Sequence, residues 1–97
     1  MKKGYWVVTY RSISDDAAVK AYGALAVPVV ESFGGRFLTM SSSQVQAHEA
    51  GLQQRVVLVE FDSYEIALAA RQSESYQKAL QALGSGAVRD FRIVEGA

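Results

Sequence analysis

The sequence predicts an α+β fold of the ferredoxin-like type, in which a βαββαβ chain forms a four-stranded antiparallel sheet with its helices on one face. Three observations support this prediction. The chain has 97 residues, which is enough for one domain with a single core. Its strand and helix patterns form two successive strand-helix-strand units, and one strand, residues 55–62, is apolar on both of its sides. We therefore expect residues 1–97 to form a single domain.

The strand at residues 55–62 decides how the rest of the chain is arranged. Side chains alternate along a strand, so the two sides of this β-branched run can be assigned. One side carries Val57, Val59 and Phe61, and the other carries Val56, Leu58 and Glu60. A chain of this length supplies helices for only one face of a sheet. We expect a second copy of the chain to cover the other face, which gives a homodimer paired through its sheet faces.

The N-terminal half predicts a strand, a helix and a second strand. Residues 4–11 are rich in Tyr, Trp and Val, and residues 14–16 provide capping oxygens for a helix. The helix has an apolar stripe with spacings of three and four, formed by Ala18, Tyr22, Leu25, Ala26, Val29 and Phe33. Pro28 lies within this stripe and predicts either a kink or a stop and restart. Gly34 and Gly35 end the helix, and residues 36–40 form the second strand.

The C-terminal half repeats the pattern after an irregular segment. Residues 41–52 are small and polar and predict a long loop or hairpin arm, with residues 45–49 as a candidate edge strand. After the central strand, Asp62 or Ser63 caps a short helix whose narrow apolar face contains Ile66, Ala69 and Ala70. Ser73 caps a second helix, which has its stripe at Tyr76, Leu80 and Leu83. Residues 84–86 break the chain, and residues 87–94 form the last strand.

The composition excludes several functional classes. Ten basic and ten acidic residues give a formal net charge of zero, so we expect neither a nucleic-acid nor a membrane partner. The absence of cysteine excludes disulfides and thiolate chemistry. The first apolar run is interrupted by Thr9 and Arg11, which makes it too short for a signal peptide or a membrane span. We therefore expect a cytoplasmic protein.

Two motif-like stretches do not support a metal or cofactor site. His48-Glu49 begins like a zinc-protease motif, but Leu52 stands where the second histidine should be, and the chain has only one histidine. His48 is then either an exposed loop residue or a proton donor at the rim of a cleft. Residues 84–86 resemble the start of a dinucleotide fingerprint, but they follow a helix and precede a strand, and Arg89 replaces the third glycine. We expect a turn there, no metal and no cofactor.

Glu60 is the most informative polar residue, because it shares a strand side with Val56 and Leu58. A carboxylate on an apolar face must be paired, hydrogen-bonded or protonated. It can form an ion pair with Arg36 or Arg55 that fixes the register of strands or of a dimer. Alternatively, it can act as a general acid or base whose pKa is raised by desolvation in a cleft.

Other polar and aromatic side chains have two interpretations each. Arg36 can hold the carboxylate of an anionic ligand, or it can form a structural pair with Glu49 or Glu60. Four aromatic residues can belong either to the core or to the wall of a pocket: Trp6, Tyr10, Tyr22 and Tyr76.

Six segments of the chain, in this order and spacing, resemble the domain-of-unknown-function family 1330 nearly from end to end. They are Gly4-Tyr5-Trp6, Gly34-Gly35-Arg36-Phe37-Leu38, Glu49 with Gly51, residues 55–61, Ser73-Glu74-Ser75-Tyr76 and Val94-Glu95-Gly96. The resemblance implies membership of the dimeric α/β-barrel superfamily, in which a ferredoxin-like subunit pairs its sheet with that of its mate. The family has no established activity. Its superfamily includes cofactor-free monooxygenases, muconolactone isomerases and ligand-binding domains, so the fold does not fix the function.

We expect a small dimeric α/β-barrel protein that binds a small anionic or aromatic ligand in a cleft between its sheet and its helices. The expected ligand-binding residues are Arg36, Trp6, Tyr76, Glu49 and Arg55. The alternative is a cofactor-independent enzyme, similar to a monooxygenase or an isomerase, that acts on a small enol or aromatic acid. In that case Glu60 or His48 moves the proton. A purely structural subunit is the third alternative.

Overall fold

The chain forms one antiparallel sheet and three helices, as described by a computed structural model of all 97 residues. The elements are β1 (Gly4–Ile13), α1 (Asp16–Ser32), β2 (Arg36–Phe37), β3 (Val56–Phe61), α2 (Tyr64–Gln72), α3 (Glu74–Leu83) and β4 (Ala87–Glu95). The strands lie in the order β2-β3-β1-β4, and every neighbouring pair is antiparallel. This is the ferredoxin-like topology, so the predicted fold class is confirmed.

The helices begin at the capping residues that the sequence predicts. Asp15 accepts a hydrogen bond from the backbone N–H of Ala18 at 3.1 Å, which satisfies a free donor of the first turn of α1. Ser63 caps α2 and Ser73 caps α3 in the same way. The second strand-helix-strand unit therefore contains two short helices instead of one long one.

All three helices cover the same face of the sheet. The strand side chains buried there include Trp6, Val8 and Tyr10 from β1 and Val59 and Phe61 from β3. The indole N–H of Trp6 donates to the backbone oxygen of Ala67 in α2 at 2.9 Å, so the largest core side chain has its polar atom satisfied.

The other side of the sheet, which we call the open face, has no helix on it. Its apolar residues follow from the strand register and are Val7, Leu38, Val56, Leu58, Val88 and Val94. Leu38, Val88 and Val94 are 52%, 55% and 48% exposed. Two positive and two negative side chains lie among them, namely Arg36, Arg92, Glu60 and Asp90.

Two boundary predictions fail around β2. The predicted strand over residues 36–40 ends at Phe37, because the side chain of Thr39 replaces the backbone ladder. Its hydroxyl donates to the oxygen of Val56 at 2.9 Å and accepts from the N–H of Leu58 at 3.0 Å. The candidate edge strand at residues 45–49 is not formed. Glu49 there has a φ of 53°, which belongs to a turn and not to a strand.

One of the two alternatives predicted for Pro28 was that the helix stops and restarts there, and this alternative is wrong. Helix α1 runs from Asp16 to Ser32 with Pro28 inside it. Proline removes one backbone hydrogen bond of the helix. Buried residues of α1 on both sides of Pro28, such as Ala26, Val29 and Val30, anchor the two parts in the same core.

No helix of this chain is long and apolar enough to cross a membrane. The cytoplasmic location expected from the sequence stays a prediction.

Candidate functional site

A cavity of about 510 Å³ lies between α1 and the helix-covered face of the sheet. Its sheet side is formed by Trp6, Val8 and Tyr10 of β1 with Val57 and Val59 of β3, and α1 forms the opposite wall. A volume of this size is within the range of pockets that hold small organic ligands. Most of its lining is apolar or aromatic, so it suits a molecule with an apolar body.

Arg55, Arg89 and Lys20 supply the positive charge of this cavity, and Asp16 is the one acidic residue in its lining. Arg55 precedes β3 and Arg89 belongs to β4, and their guanidinium carbons lie 5.4 and 5.6 Å from the ring centre of Tyr10. Because β1 lies between β3 and β4, the two cations flank Tyr10 from its two neighbouring strands. Neither arginine has a carboxylate oxygen within 4.0 Å, and all ion pairs of the chain involve other residues.

The Nε atom of Arg55 is buried and has no hydrogen-bond partner. It is the only buried side-chain nitrogen or oxygen of this chain in that condition. A buried unsatisfied donor is costly, and the cost is larger for a charged group. The guanidinium of Arg55 is therefore not fully satisfied by groups of the protein.

Arg89 is surrounded by aromatic rings. Its guanidinium carbon is 4.7 Å from the ring centre of Tyr22 and 5.5 Å from that of Phe91, distances typical of cation–π contacts. Burial by itself would lower the pKa of Arg89, but the phenols of Tyr22, Tyr76 and Tyr10 outweigh it and raise the pKa. Arg89 therefore keeps its charge in the cavity.

The hydroxyl groups of Tyr22 and Tyr76 form a hydrogen bond of 2.5 Å. Tyr22, on α1, lines the cavity, whereas Tyr76, on α3, is 0% exposed and packs edge-on against Trp6 with ring centres 5.1 Å apart. Burial raises the pKa of Tyr76 far above its usual range and also raises the pKa of Tyr10. These phenols are therefore neutral at physiological pH.

The site residues expected from the sequence lie in three places: at the cavity, on the open face, and in the segment between β2 and β3. Trp6 and Arg55 line the cavity, and Tyr76 lies directly behind it against Trp6 and Tyr22. Arg36 and Glu60 lie together on the open face, on the opposite side of the sheet from the cavity.

Glu60 forms the ion pair with Arg36 that was one of its two predicted roles. The Nε and NH2 atoms of Arg36 both lie 3.0 Å from Glu60 Oε1, and NH2 also contacts Asp62 at 3.1 Å. The hydroxyl of Tyr5 donates to the second carboxylate oxygen of Glu60 at 3.3 Å. The hydrogen bond from Arg36 lowers the pKa of Glu60. The carboxylate of Glu60 is therefore ionised at neutral pH. A general acid in a cleft would instead have a raised pKa.

His48 and Glu49 lie in the segment between β2 and β3 and do not line the cavity. Glu49 makes no ion pair, so the predicted alternative of an Arg36–Glu49 pair is not formed. The backbone at this position forms a turn in which the N–H of Gly51 donates to the oxygen of His48 at 2.9 Å.

Sequence reasoning missed Arg89 as a site residue and considered Tyr22 only as an aromatic wall. A signal for Arg89 was present, because it alternates with Phe91 and Ile93 on one side of the last strand. A charged side chain on an apolar strand side needs a partner or access to solvent, as was argued for Glu60. Arg89 has this access because it lines the cavity.

Fold and cavity together define a small α+β protein of ferredoxin-like topology with a cationic, aromatic-walled cavity beneath its first helix. The family model described as "Domain of unknown function (DUF1330)" matches residues 3–97, and the chain belongs to this family. The resemblance noted in the sequence is thereby confirmed. A comparison with curated proteins gives no significant match.

Several solved structures share the fold. A protein of unknown function from Rhodopseudomonas palustris superimposes with a TM-score of 0.74 at 19% identity, covering 99% of this chain and 83% of that one. An "ethyl tert-butyl ether d (ethd) family protein" from Bacillus halodurans gives a TM-score of 0.58 at 11% identity over 100% of both chains. A conserved protein of unknown function from Bacteroides thetaiotaomicron, titled "Possible Oxidoreductase", gives 0.54 at 10% identity, covering 97% of this chain and 95% of that one. At these identities the likeness concerns the fold alone.

Proposed function

We propose that this protein is a homodimeric binding protein for a small organic anion that has an apolar or aromatic body. The observation that carries the proposal is the buried, unpartnered Nε atom of Arg55 in the wall of the cavity. A carboxylate is the common biological group that satisfies an arginine fork with two charge-assisted hydrogen bonds. Arg89 adds a second unpaired cation to the same cavity.

The walls of the cavity suit a ligand whose apolar body lies next to the arginines. Trp6, Tyr10 and Tyr22 supply flat aromatic surfaces, and Val57 and Val59 supply aliphatic ones. Desolvating an apolar ligand against these walls favours binding, while the anion fixes its orientation.

We place binding ahead of the enzymatic alternative because of where Glu60 lies. Of the two proton carriers expected from the sequence, Glu60 is on the open face and is ionised in an ion pair with Arg36, and His48 does not line the cavity. A general base must be within hydrogen-bond reach of the proton that it takes. Glu60 is separated from the cavity by the sheet itself.

The homodimer is proposed from the composition of the open face. Its apolar residues form a surface that a second identical sheet can cover, and its two positive and two negative side chains allow it to complement itself about a two-fold axis. The cavity lies on the other side of the sheet, so it stays accessible when the open face is covered.

Titration with 4-isopropylbenzoate, which has one carboxylate and an apolar body, tests the binding site by calorimetry. We expect Arg55→Met to weaken binding about tenfold or more, because it removes a charge-assisted hydrogen-bond donor. The variant should fold normally, since the Nε atom of Arg55 loses no partner. Arg92→Met, which removes an arginine from the open face, is the matched control and should bind as the wild type does.

The neutral 4-isopropylbenzamide separates charge recognition from shape. Its affinity should be lower than that of the benzoate in the wild type and should not change in Arg55→Met. The proposed site would be contradicted if Arg55→Met and Arg92→Met bound 4-isopropylbenzoate with equal affinity. It would also be contradicted if the wild type did not bind this benzoate.

A further inference from the structure

We propose that Tyr76 orients the hydroxyl of Tyr22 so that Tyr22 donates a hydrogen bond to a second oxygen on the bound anion. This inference rests on the proposed function and narrows its ligand class. The ligand is then an acid whose apolar body carries, away from the carboxylate, an acceptor oxygen such as the carbonyl of a ketone, aldehyde or ester.

The direction of the hydrogen bond between the two tyrosines follows from their different burial. Heavy-atom positions alone allow either hydroxyl to be the donor. Tyr76 is 0% exposed, and Tyr22 Oη is the only acceptor for its hydroxyl, since the neighbouring guanidinium of Arg89 can only donate. If Tyr76 accepted, its own hydrogen would be buried without an acceptor, which is the unfavourable arrangement. Tyr76 therefore donates to Tyr22.

This assignment leaves the hydrogen of Tyr22 without a protein acceptor. Tyr22 has no acceptor among the other side chains, since Arg89 can only donate to it, and it lines the cavity. Each phenol has one hydrogen to donate and lone pairs with which to accept. With the oxygen of Tyr22 accepting from Tyr76, its O–H group is available to whatever occupies the cavity. Tyr76 is a positioning residue in this arrangement, because it acts on the ligand only through Tyr22.

Arg89 places a positive charge beside Tyr22. Its guanidinium lies over the Tyr22 ring at 4.7 Å and has no carboxylate partner to neutralise it. A positive charge there attracts an electron-rich oxygen of a ligand to the same part of the cavity. The combination of a cation and a directed hydroxyl suits a carbonyl oxygen better than an apolar group.

The two polar contacts are at different sides of the cavity. Arg55 approaches Tyr10 from β3, whereas Arg89 and Tyr22 meet at the β4 and α1 side. Both guanidinium carbons lie within 5.6 Å of the Tyr10 ring centre, Arg55 from the β3 side of β1 and Arg89 from the β4 side. A ligand with its carboxylate at Arg55 therefore presents its far end to Tyr22, as a para-substituted benzoate does.

Two benzoates of nearly equal shape test this inference. The carbonyl of 4-acetylbenzoate accepts a hydrogen bond, and 4-isopropylbenzoate has a methyl group in its place. We expect Tyr22→Phe to weaken binding of 4-acetylbenzoate about fivefold to tenfold, the effect of one net hydrogen bond, and to leave 4-isopropylbenzoate within about twofold. Tyr76→Phe should lower the ratio of the two affinities about twofold to threefold, because Tyr22 keeps its O–H but loses the hydrogen bond that orients it.

Thermal unfolding without ligand tests the direction of the tyrosine hydrogen bond. Tyr22→Phe leaves the buried hydroxyl of Tyr76 without an acceptor. Tyr76→Phe instead removes the donor to the hydroxyl of Tyr22, which lines the cavity. We therefore expect the lower Tm for Tyr22→Phe. A lower Tm for Tyr76→Phe would overturn the assigned direction.

The outcomes separate this inference from the proposed function. Binding of both benzoates that depends on Arg55, with an affinity ratio unchanged by Tyr22→Phe, overturns the role of Tyr22 and leaves the anion site standing. A ratio that rises in Tyr76→Phe also overturns it, because Tyr22 would then have been donating to Tyr76. Failure of the wild type to bind either benzoate overturns both proposals.

Discussion

Glu60 illustrates how one side chain can have two chemically reasonable roles until its neighbours are known. Its strand position was clear from the alternation of residues 55–62, but the sequence does not say which side of the sheet the helices cover. The structure places Glu60 on the open face, where Arg36 and Tyr5 contact its two oxygens. The residue is therefore part of an ion-pair network and not of the cavity.

The lowered pKa of Glu60 makes stability sensitive to acid. The hydrogen bond from Arg36 lowers the pKa in the folded state, so the folded protein binds fewer protons than the unfolded chain. The stabilisation is present above the unfolded pKa of about 4.3 and is lost as the pH falls through the folded value. We expect Glu60→Gln to reduce the loss of stability between pH 5 and pH 3, both values being about one unit from that pKa. Urea unfolding at several pH values measures this.

Asp90→Asn provides the control for this experiment. Asp90 is also on the open face, but its partner Arg92 is two residues away on the same strand. The Asn variant should keep the acid-dependent loss that Glu60→Gln reduces. Parallel pH curves for the wild type and Glu60→Gln would contradict the assignment.

At the scale of single elements, two glycines near α1 have opposite surroundings. A Cβ atom on Gly35, between α1 and β2, would lie 2.6 Å from Val30 Cγ1 and 2.8 Å from Phe61 Cε1. Both neighbours are fully buried, so they have little room to move. A Cβ atom on Gly23, in the middle of α1, would meet nothing within 4 Å.

Replacing each glycine by alanine should therefore shift stability in opposite directions. We expect Gly35→Ala to lower the free energy of unfolding by about 1–3 kcal/mol through overpacking. Gly23→Ala should raise it by about 0.5–1 kcal/mol, because alanine is the better helix former and loses less entropy. Urea unfolding of both variants measures these changes. A stabilising Gly35→Ala would show that the corner between α1 and β2 is loosely packed.

The elements that the sequence predicts best are those with a local cause. Ser63 and Ser73 begin helices because each side chain caps its own first turn. The extent of β2 was not predictable in this way. It depends on the contact of Thr39 with Val56 and Leu58, which are about twenty residues further along the chain. The cavity depends on long-range placement in the same way, since Arg55 and Arg89 meet only through Tyr10.

At the scale of the whole molecule, the apolar open face leads to a prediction about assembly. We expect native mass spectrometry to give a dimer for the wild type and mainly monomer for Leu58→Lys. Leu58 lies on β3, and lysine there would place an unpaired charge inside the interface. The matched control is Leu25→Lys, on α1, where leucine is 46% exposed on the other side of the molecule. This variant should stay dimeric, and a monomeric wild type would rule out the proposed pairing of sheets.

Strand β3 exposes neighbouring residues to different surroundings, because its side chains alternate. Val57 and Val59 line the cavity, whereas Val56 and Leu58 lie on the open face. Substitutions that change the ligand specificity of the cavity can therefore evolve independently of substitutions that change the open face, although both sets of residues lie within four consecutive codons. A protein engineer can use the same separation to redesign ligand preference at Val57 and Val59 while retaining the residues of the open face.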